Sequence, residues 1–313
     1  MMQRAVLTAA GRVPAAVSTA PQVRQYATLK DLSVRLRSIT NIQKITQSMK
    51  LVSAAKYSRA ERELQPAKPY GPSTRLFYET VEGPTEAEKK ATAEAEAGEA
   101  DRGHLMVVLT SDRGLCGAIH SNVGRAVKAD VESLHKQRLA NANLGLVCYG
   151  DKAKAILQKP LGKAVLFSIS DVGKTPPTFG YASELAQEIL NCGFEFDTGD
   201  IFYNEFKSVV SYTTKRLHVR SHGAIAKGLG FYQFDGVDDE VLEDYMQFHL
   251  AAQLFYALKE SACSEQSSRM TAMDAATKNA GEIIDSLTLL YNRTRQAAIT
   301  KELIEIISGA AAV

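Results

Sequence analysis

Apolar positions recur along this chain with two different periods, and the period changes where the architecture should change. Near the start, Leu29, Leu32, Leu36 and Ile39 step by three and four, as one face of a helix requires. The row then shifts to Ile42, Ile45, Met49 and Val52, a three-residue slip of the kind a stammer introduces into a coiled-coil seam. Neither proline nor glycine interrupts Leu29 to Gln65, and "LQPAKPYGP" ends the helix with Pro66, Pro69 and Pro72.

The middle of the chain reads differently. "HLMVVLTSD", "LGLVCYG" and "AVLFSIS" are short apolar runs suited to buried strands, and "DIFYNEFKS" and "KRLHVRSH" extend the set. Helical spacing separates them in "SNVGRAVKADVESLHKQ", "DKAKAILQK" and "YASELAQEILNCG", the last stopped by Gly193. Alternation of this kind predicts an open, largely parallel, doubly wound sheet over residues 104–222. The final element is the longest: Asp238 to Ser308 carries Gly281 and no proline. Positions 270, 273, 277, 280, 284, 287, 291, 294 and 298 step three and four without a break, holding Met, Met, Thr, Ala, Ile, Leu, Tyr, Thr and Ala. These are smaller and more polar than a leucine zipper and suit close packing.

Length then decides the arrangement. Such a helix is about 105 Å long and the first about 55 Å, whereas a domain of roughly 120 residues is about 35 Å across. The long helix must project, and antiparallel pairing of the two is the simplest stalk. The fold class is therefore α/β: a long antiparallel coiled coil of N- and C-terminal helices plus a Rossmann-like open α/β domain. The chain ends "ELIEIISGAAAV", without a charge after Glu305. Ile306, Ile307 and Val313 form an apolar tip at the far end of the rod, which needs a seat in another protein.

Composition changes the picture at the N-terminus. Residues 1–26 carry Arg4, Arg12 and Arg24 and no acid, with many Ala, Ser and Thr, which describes an organelle transit peptide, mitochondrial ahead of plastid, with a disordered tail as the alternative. Without those three arginines 34 basic residues face 35 acidic ones, so the rest of the chain has no global pull towards nucleic acid. The organisation predicted is transit peptide 1–26, N-terminal coiled-coil helix and exit segment 27–82, acidic linker 83–103, α/β domain 104–222, connecting loop 223–237 and C-terminal coiled-coil helix with apolar tip 238–313. No apolar run is long enough for a membrane span. The first helix carries eight Lys and Arg against three acids, a face suited to acidic partners.

Candidate chemistry is sparse. Cys116, Cys148, Cys192 and Cys263 make no CxxC pair and read as core thiols. "SDRGLCGAIH" (111–120) follows the first strand, where a phosphate loop would sit, but neither GxGxxG nor GxxxxGK[ST] is present. Ser111, Asp112, Cys116 and His120 have nucleophile chemistry, yet there is no GxSxG elbow. His218 and His222 are four apart but on a strand pattern, which does not make a helical metal pair. No cofactor is expected.

Three motifs carry a resemblance: "ITNIQKITQSMKLVSAAKYSRA", "SDRGLCGAIHSNV" and "SRMTAMDAATKNAGEIIDSLTLLYNRTRQAAITKELIEIISGAAAV". Together they resemble the γ subunits of F-type ATP synthases, the central stalk of the F1 sector, over residues 28–313. The leader points to the mitochondrial branch, and the cysteine-pair insertion of plastid γ subunits is missing. The resemblance implies a non-catalytic rotor shaft at the matrix side of the inner membrane. Its partners would be the α and β subunits of the ring, the small stalk subunits δ and ε, and the c-ring; ATP chemistry would belong to β. By matching motif it implies β-subunit contacts at Met49, Arg269, Gln296 and Thr300, and c-ring contacts at Tyr232 and Asp235. The alternatives from other classes are a static coiled-coil tether and a nucleotide-binding α/β enzyme.

Overall fold

The computed structural model describes residues 28–71, 103–136, 143–226 and 238–311. The expected transit peptide, nearly all of the acidic linker, Tyr232, Asp235 and Val313 lie outside the described residues. The chain divides into two compact units, one of residues 39–284 and the other of residues up to 38 with those from 285 onward. Helix α1 (Leu29–Leu64) and the last helix, α6 (Asp239–Ala311), each contribute to both.

The larger unit is built on five strands: β1 (Gly103–Leu109), β2 (Leu144–Tyr149), β3 (Val165–Ile169), β4 (Phe196–Ser208) and β5 (Ser211–Arg220). Between them run α2 (Ile119–Lys136), α3 (Asp151–Leu161) and α4 (Phe179–Asn191). The sheet order is β3-β2-β1-β4-β5. The first four are parallel and β5 is an antiparallel edge. Central β1 is buried at every residue, as a strand covered on both faces must be. Alternation along β1 sorts its side chains into two cores. Leu105, Val107 and Leu109 pack with Leu185 and Ile189 of α4 and Leu250, Leu254 and Leu258 of α6. Met106 and Val108 pack with Val123 and Val127 of α2 and Leu157 of α3. Each fully buried aliphatic side chain contributes roughly 1.5–3 kcal/mol.

Two boundaries move. Gly103, assigned to the linker, is the first residue of β1, and a short helix, α5 (His222–Ala226), occupies the start of the expected connecting loop. Gly193 stops α4 as expected, with a left-handed φ of 70° that a side chain would strain. Three cysteines are buried, but Cys192 is exposed rather than a core thiol, because it caps the solvent end of α4.

The sheet also holds a polar chain that the sequence did not announce. Buried Asp200 on β4 lies within ion-pair distance of His104 Nε2 of β1, at 3.2 Å, and of His218 Nδ1 of β5, at 2.6 Å, although neither His104 Nε2 nor Asp200 Oδ1 has a well-directed hydrogen bond. His104 Nδ1 lies 2.9 Å from Thr198 Oγ1. Burial alone would raise the Asp200 carboxyl, but the two histidine contacts outweigh it and hold it well below the usual carboxylate range. Asp200 in turn raises the His218 imidazole, against partial burial and the nearby Arg216 and Arg220. A raised imidazole stabilises the fold fully below about pH 6.5 and loses that contribution as pH rises through its folded value. Replacing His218 by Gln is therefore expected to destabilise the isolated chain more at pH 6 than at pH 8. Urea midpoints at the two pH values check it, and equal losses would remove the ion pair. The effect should be modest, since the His218 side chain is 66% exposed.

In the larger unit α1 and α6 run antiparallel. Glu63 meets Lys259 at 2.8 Å, Lys50 meets Asp274 at 2.6 Å, and Thr46 meets Thr277 at 2.8 Å, so one number falls as the other rises. The heptad read on α6 holds, since Met273 and Ala280 are buried and Met270, Thr277 and Ile284 are half-buried. The stammer on α1 does not. The inward row runs through Ile39, Gln43, Thr46, Lys50, Ser53, Tyr57, Ala60 and Leu64, in steps of four and three throughout. Ile42, Ile45 and Val52 are instead 46%, 58% and 56% exposed. Polar side chains that bond across the seam fill the row, and the apolar row beside it faces outward. In the smaller unit, Leu32 is buried and Leu29 and Leu36 are half-buried on α1. Leu287, Tyr291, Thr294 and Ala298 are half-buried on α6.

Candidate functional site

The first candidate is the loop after β1, because the crevice at the carboxyl ends of β1, β2 and β3 is where doubly wound sheets take ligands. A cavity of about 570 Å³ lies there, walled by α1 and α6. Its lining carries four basic side chains (Lys56, Arg59, Lys174, Lys259) against four acidic ones (Glu63, Asp171, Glu184, Glu265). A phosphate would meet no net positive charge in it. Most of these charges are also paired: Glu63 holds both Lys259 and Arg59 at 2.8 Å, and Lys174 holds Asp171 at 2.5 Å.

The loop's own groups are spent on holding it. Ser111 Oγ lies 3.4 Å from His120 Nε2, which is itself 3.2 Å from the Arg113 carbonyl. A carbonyl accepts only, so Nε2 carries the proton and has no lone pair with which to activate Ser111. Burial lowers His120, which keeps the ring neutral. Asp112 accepts from the Asp151 and Val172 backbone N–H groups at 2.5 and 2.8 Å. Burial, then the charge of Glu265, raises the Cys116 thiol, so it stays protonated. The sequence brought these four together correctly, and their arrangement is that of a fastened turn.

The other candidates lie along the helices. Met49 is half-buried on α1, beside the outward row of Ile42, Ile45 and Val52. Gln296 and Thr300 are exposed; Thr300 Oγ1 donates to the Gln296 carbonyl at 2.9 Å within its own helix. Every described residue from Ile299 on is exposed, including Leu303 at 52%, Ile306 at 69% and Ile307 at 62%. Ile306 and Ile307 thus form an exposed apolar surface at the helix end. Arg269 is different. It is 6% exposed, pairs through Nη2 with Glu265 Oε1, and donates Nε–H to the Gly114 carbonyl at 3.2 Å. Its guanidinium locks α6 to the β1–α2 turn, so a second protein has little of it to touch. Among the described residues no group of three metal-ligating side chains occurs and no helix is long and apolar enough to cross a membrane.

A family described as ATP synthase matches residues 28–313, from the first described helix to the tip. The chain is 49% identical over its whole length to the mitochondrial ATP synthase subunit gamma of Drosophila melanogaster, 99% of which is covered. It is 50% identical to the mitochondrial F(1) complex subunit gamma of Rattus norvegicus, over 92% of this chain and all of that one. This chain belongs to the ATP synthase γ-subunit family. Among solved structures, the central stalk and c-ring assembly of Tetrahymena thermophila mitochondrial ATP synthase contains a chain 26% identical, with a TM-score of 0.54 over 74% of this chain and 99% of that one. A chain of the Euglena gracilis mitochondrial enzyme, 20% identical, shares the fold with a TM-score of 0.72 over 91% of this chain and 94% of that one.

Proposed function

We propose that this chain is the rotor shaft of a mitochondrial F-type ATP synthase, on the matrix side of the inner membrane. Proton flow turns the c-ring and the shaft turns with it. Its asymmetry then carries each β site in turn through its binding states. The observation that carries the reading is the match to γ subunits along the whole of residues 28–313. Its partners are the α and β subunits, the small δ and ε stalk subunits and the c-ring. The chain contributes no catalytic group, and ATP is bound and hydrolysed by β. The bare, uncharged tip supports the reading, since such a surface turns in an apolar sleeve without ion pairs to break.

Met49, Gln296 and Thr300 face the β subunits, and Tyr232 and Asp235 face the c-ring. Arg269 is left out of the contact set because its charge is already matched inside the chain. The test replaces Gln296 and Thr300 by alanine together. They lie four apart and share one helix face, and each lost bond to a partner costs roughly 0.5–1.5 kcal/mol. ATP synthesis by the reconstituted complex is expected to fall while the isolated chain keeps its thermal midpoint. An unchanged synthesis rate with normal assembly removes the two contacts. Native purification that brings down no α or β chain removes the function.

A further inference from the structure

We infer that a ladder of polar side chains on α6, from Glu260 to Thr271, is the torque-bearing joint between the sheet and the stalk. The inference rests on the rotor reading above. Its origin is a mismatch in strand length. β1 pairs with β4 only as far as Phe202, while β4 continues to Ser208 and keeps β5 on its other edge. The overhang therefore offers backbone groups where a strand is missing, and buried backbone groups need partners.

Helix α6 supplies them with side chains. Phe206 N–H donates to Glu260 Oε2 at 2.7 Å, and Asn204 N–H to Ser261 Oγ at 3.3 Å. Ser264 Oγ donates to the Asn204 carbonyl at 3.0 Å. At the β4–β5 turn the Val209 carbonyl accepts from Ser267 and, at 3.3 Å, from Thr271, whose single proton is shared with the Ser267 carbonyl of its own helix at 3.1 Å. On the β1–α2 turn the Cys116 carbonyl accepts from Ser268 at 2.7 Å and the Gly114 carbonyl from Arg269 at 3.2 Å. Positions 260, 264, 267 and 271 follow one face of the helix. All seven bonds end on backbone atoms of the sheet or its turns, which cannot swing away as side chains can.

Direction is what distinguishes this joint. Apolar burial is non-directional, so a greasy face holds a helix against a sheet and still lets it roll or slide. Hydrogen bonds weaken steeply when misaligned, so a row of them resists rotation of α6 about its own axis. The apolar part of the same helix, Leu250, Leu254 and Leu258, supplies adhesion to the sheet. The ladder supplies angular stiffness, and it sits on the route by which a load on the sheet reaches the coiled coil.

The test uses the assembled complex with the ring held fixed and a bead on Cys192, which is exposed while the other three cysteines are buried. The readout is the variance of the bead angle in the stalled state. Replacing Ser261, Ser264, Ser267 and Ser268 by alanine leaves three of the seven bonds. If the bonds share the load, variance should rise about 2.3-fold, each serine having lost its bond. The milder pair Ser264→Ala with Ser268→Ala leaves five and should raise it about 1.4-fold on the same reasoning; it is the variant read if the quadruple one does not assemble. A Leu250→Ala control, destabilised in the apolar core, should lower the thermal midpoint and leave the variance unchanged. Variance equal to that of the unsubstituted chain overturns the ladder as a torque joint. A bead that never turns on the unsubstituted chain overturns the rotor reading instead.

Discussion

Proline at position 284 is expected to cripple the protein, and deletion of residues 306–313 is expected to leave its folding intact. Ile284 is half-buried in the middle of an uninterrupted 73-residue helix. Proline there removes a backbone hydrogen bond and drives its ring into the preceding turn, which costs about 3 kcal/mol or more and kinks the helix. The tip is the opposite case. Ile306 and Ile307 are 69% and 62% exposed in the chain alone, so removing them uncovers nothing in it. The isolated truncated chain should keep its thermal midpoint, whereas the proline variant should melt earlier and lose helical circular dichroism. In a reconstituted ring, at equal occupancy, the truncated shaft should retain part of its rotation-coupled hydrolysis and the proline shaft should not. A working proline shaft beside a dead truncated one would reverse the ranking and refute the paired-helix stalk.

Arg269→Ala is expected to destabilise the isolated chain by about 3–5 kcal/mol, because it strands the Glu265 carboxylate in a buried site. The two side chains are only 7% and 9% exposed, so the pair is largely desolvated. The same change frees the Gly114 carbonyl. Replacing both residues by apolar ones, Arg269→Met with Glu265→Leu, should recover much of the loss, since no charge is then left unmatched. Denaturant midpoints of the single and double variants decide it. A single variant as stable as the unsubstituted chain would show that Arg269 belongs to an interface rather than to the fold.

The strands and the long C-terminal helix were legible because their periods are clean. β1 is a run of apolar residues bounded by polar ones, and the heptad from 270 to 298 stays in step. The seam of α1 was misread for a physical reason. Periodicity follows hydrophobicity, but the buried row is partly Gln43, Thr46, Lys50 and Ser53, whose polar groups can be satisfied across a close helix pair. The louder apolar row at 42, 45 and 52 belongs to the outside. Arg269 gave no sign in the sequence of its partners within the chain for a related reason: a motif carries a residue's position but not which way its charge points. The ladder on α6 left one signal, four serines (Ser261, Ser264, Ser267 and Ser268) within eight residues of one helix. Serine is a poor choice for a helix interior unless its hydroxyl has somewhere to go. The Asp200 chain left none, since His104, Asp200 and His218 lie on three strands whose pairing only the folded sheet reveals.

The outward row on α1 has a cost that falls on the cell rather than on the working complex. Ile42, Ile45, Leu51 and Val52 are harmless once covered, but on an orphan copy they form an adhesive strip, as the tip does. Such a copy is a ready client for chaperones and proteases. Production of this chain therefore has to keep pace with production of its sleeve, and a surplus is the hazard more than a shortage.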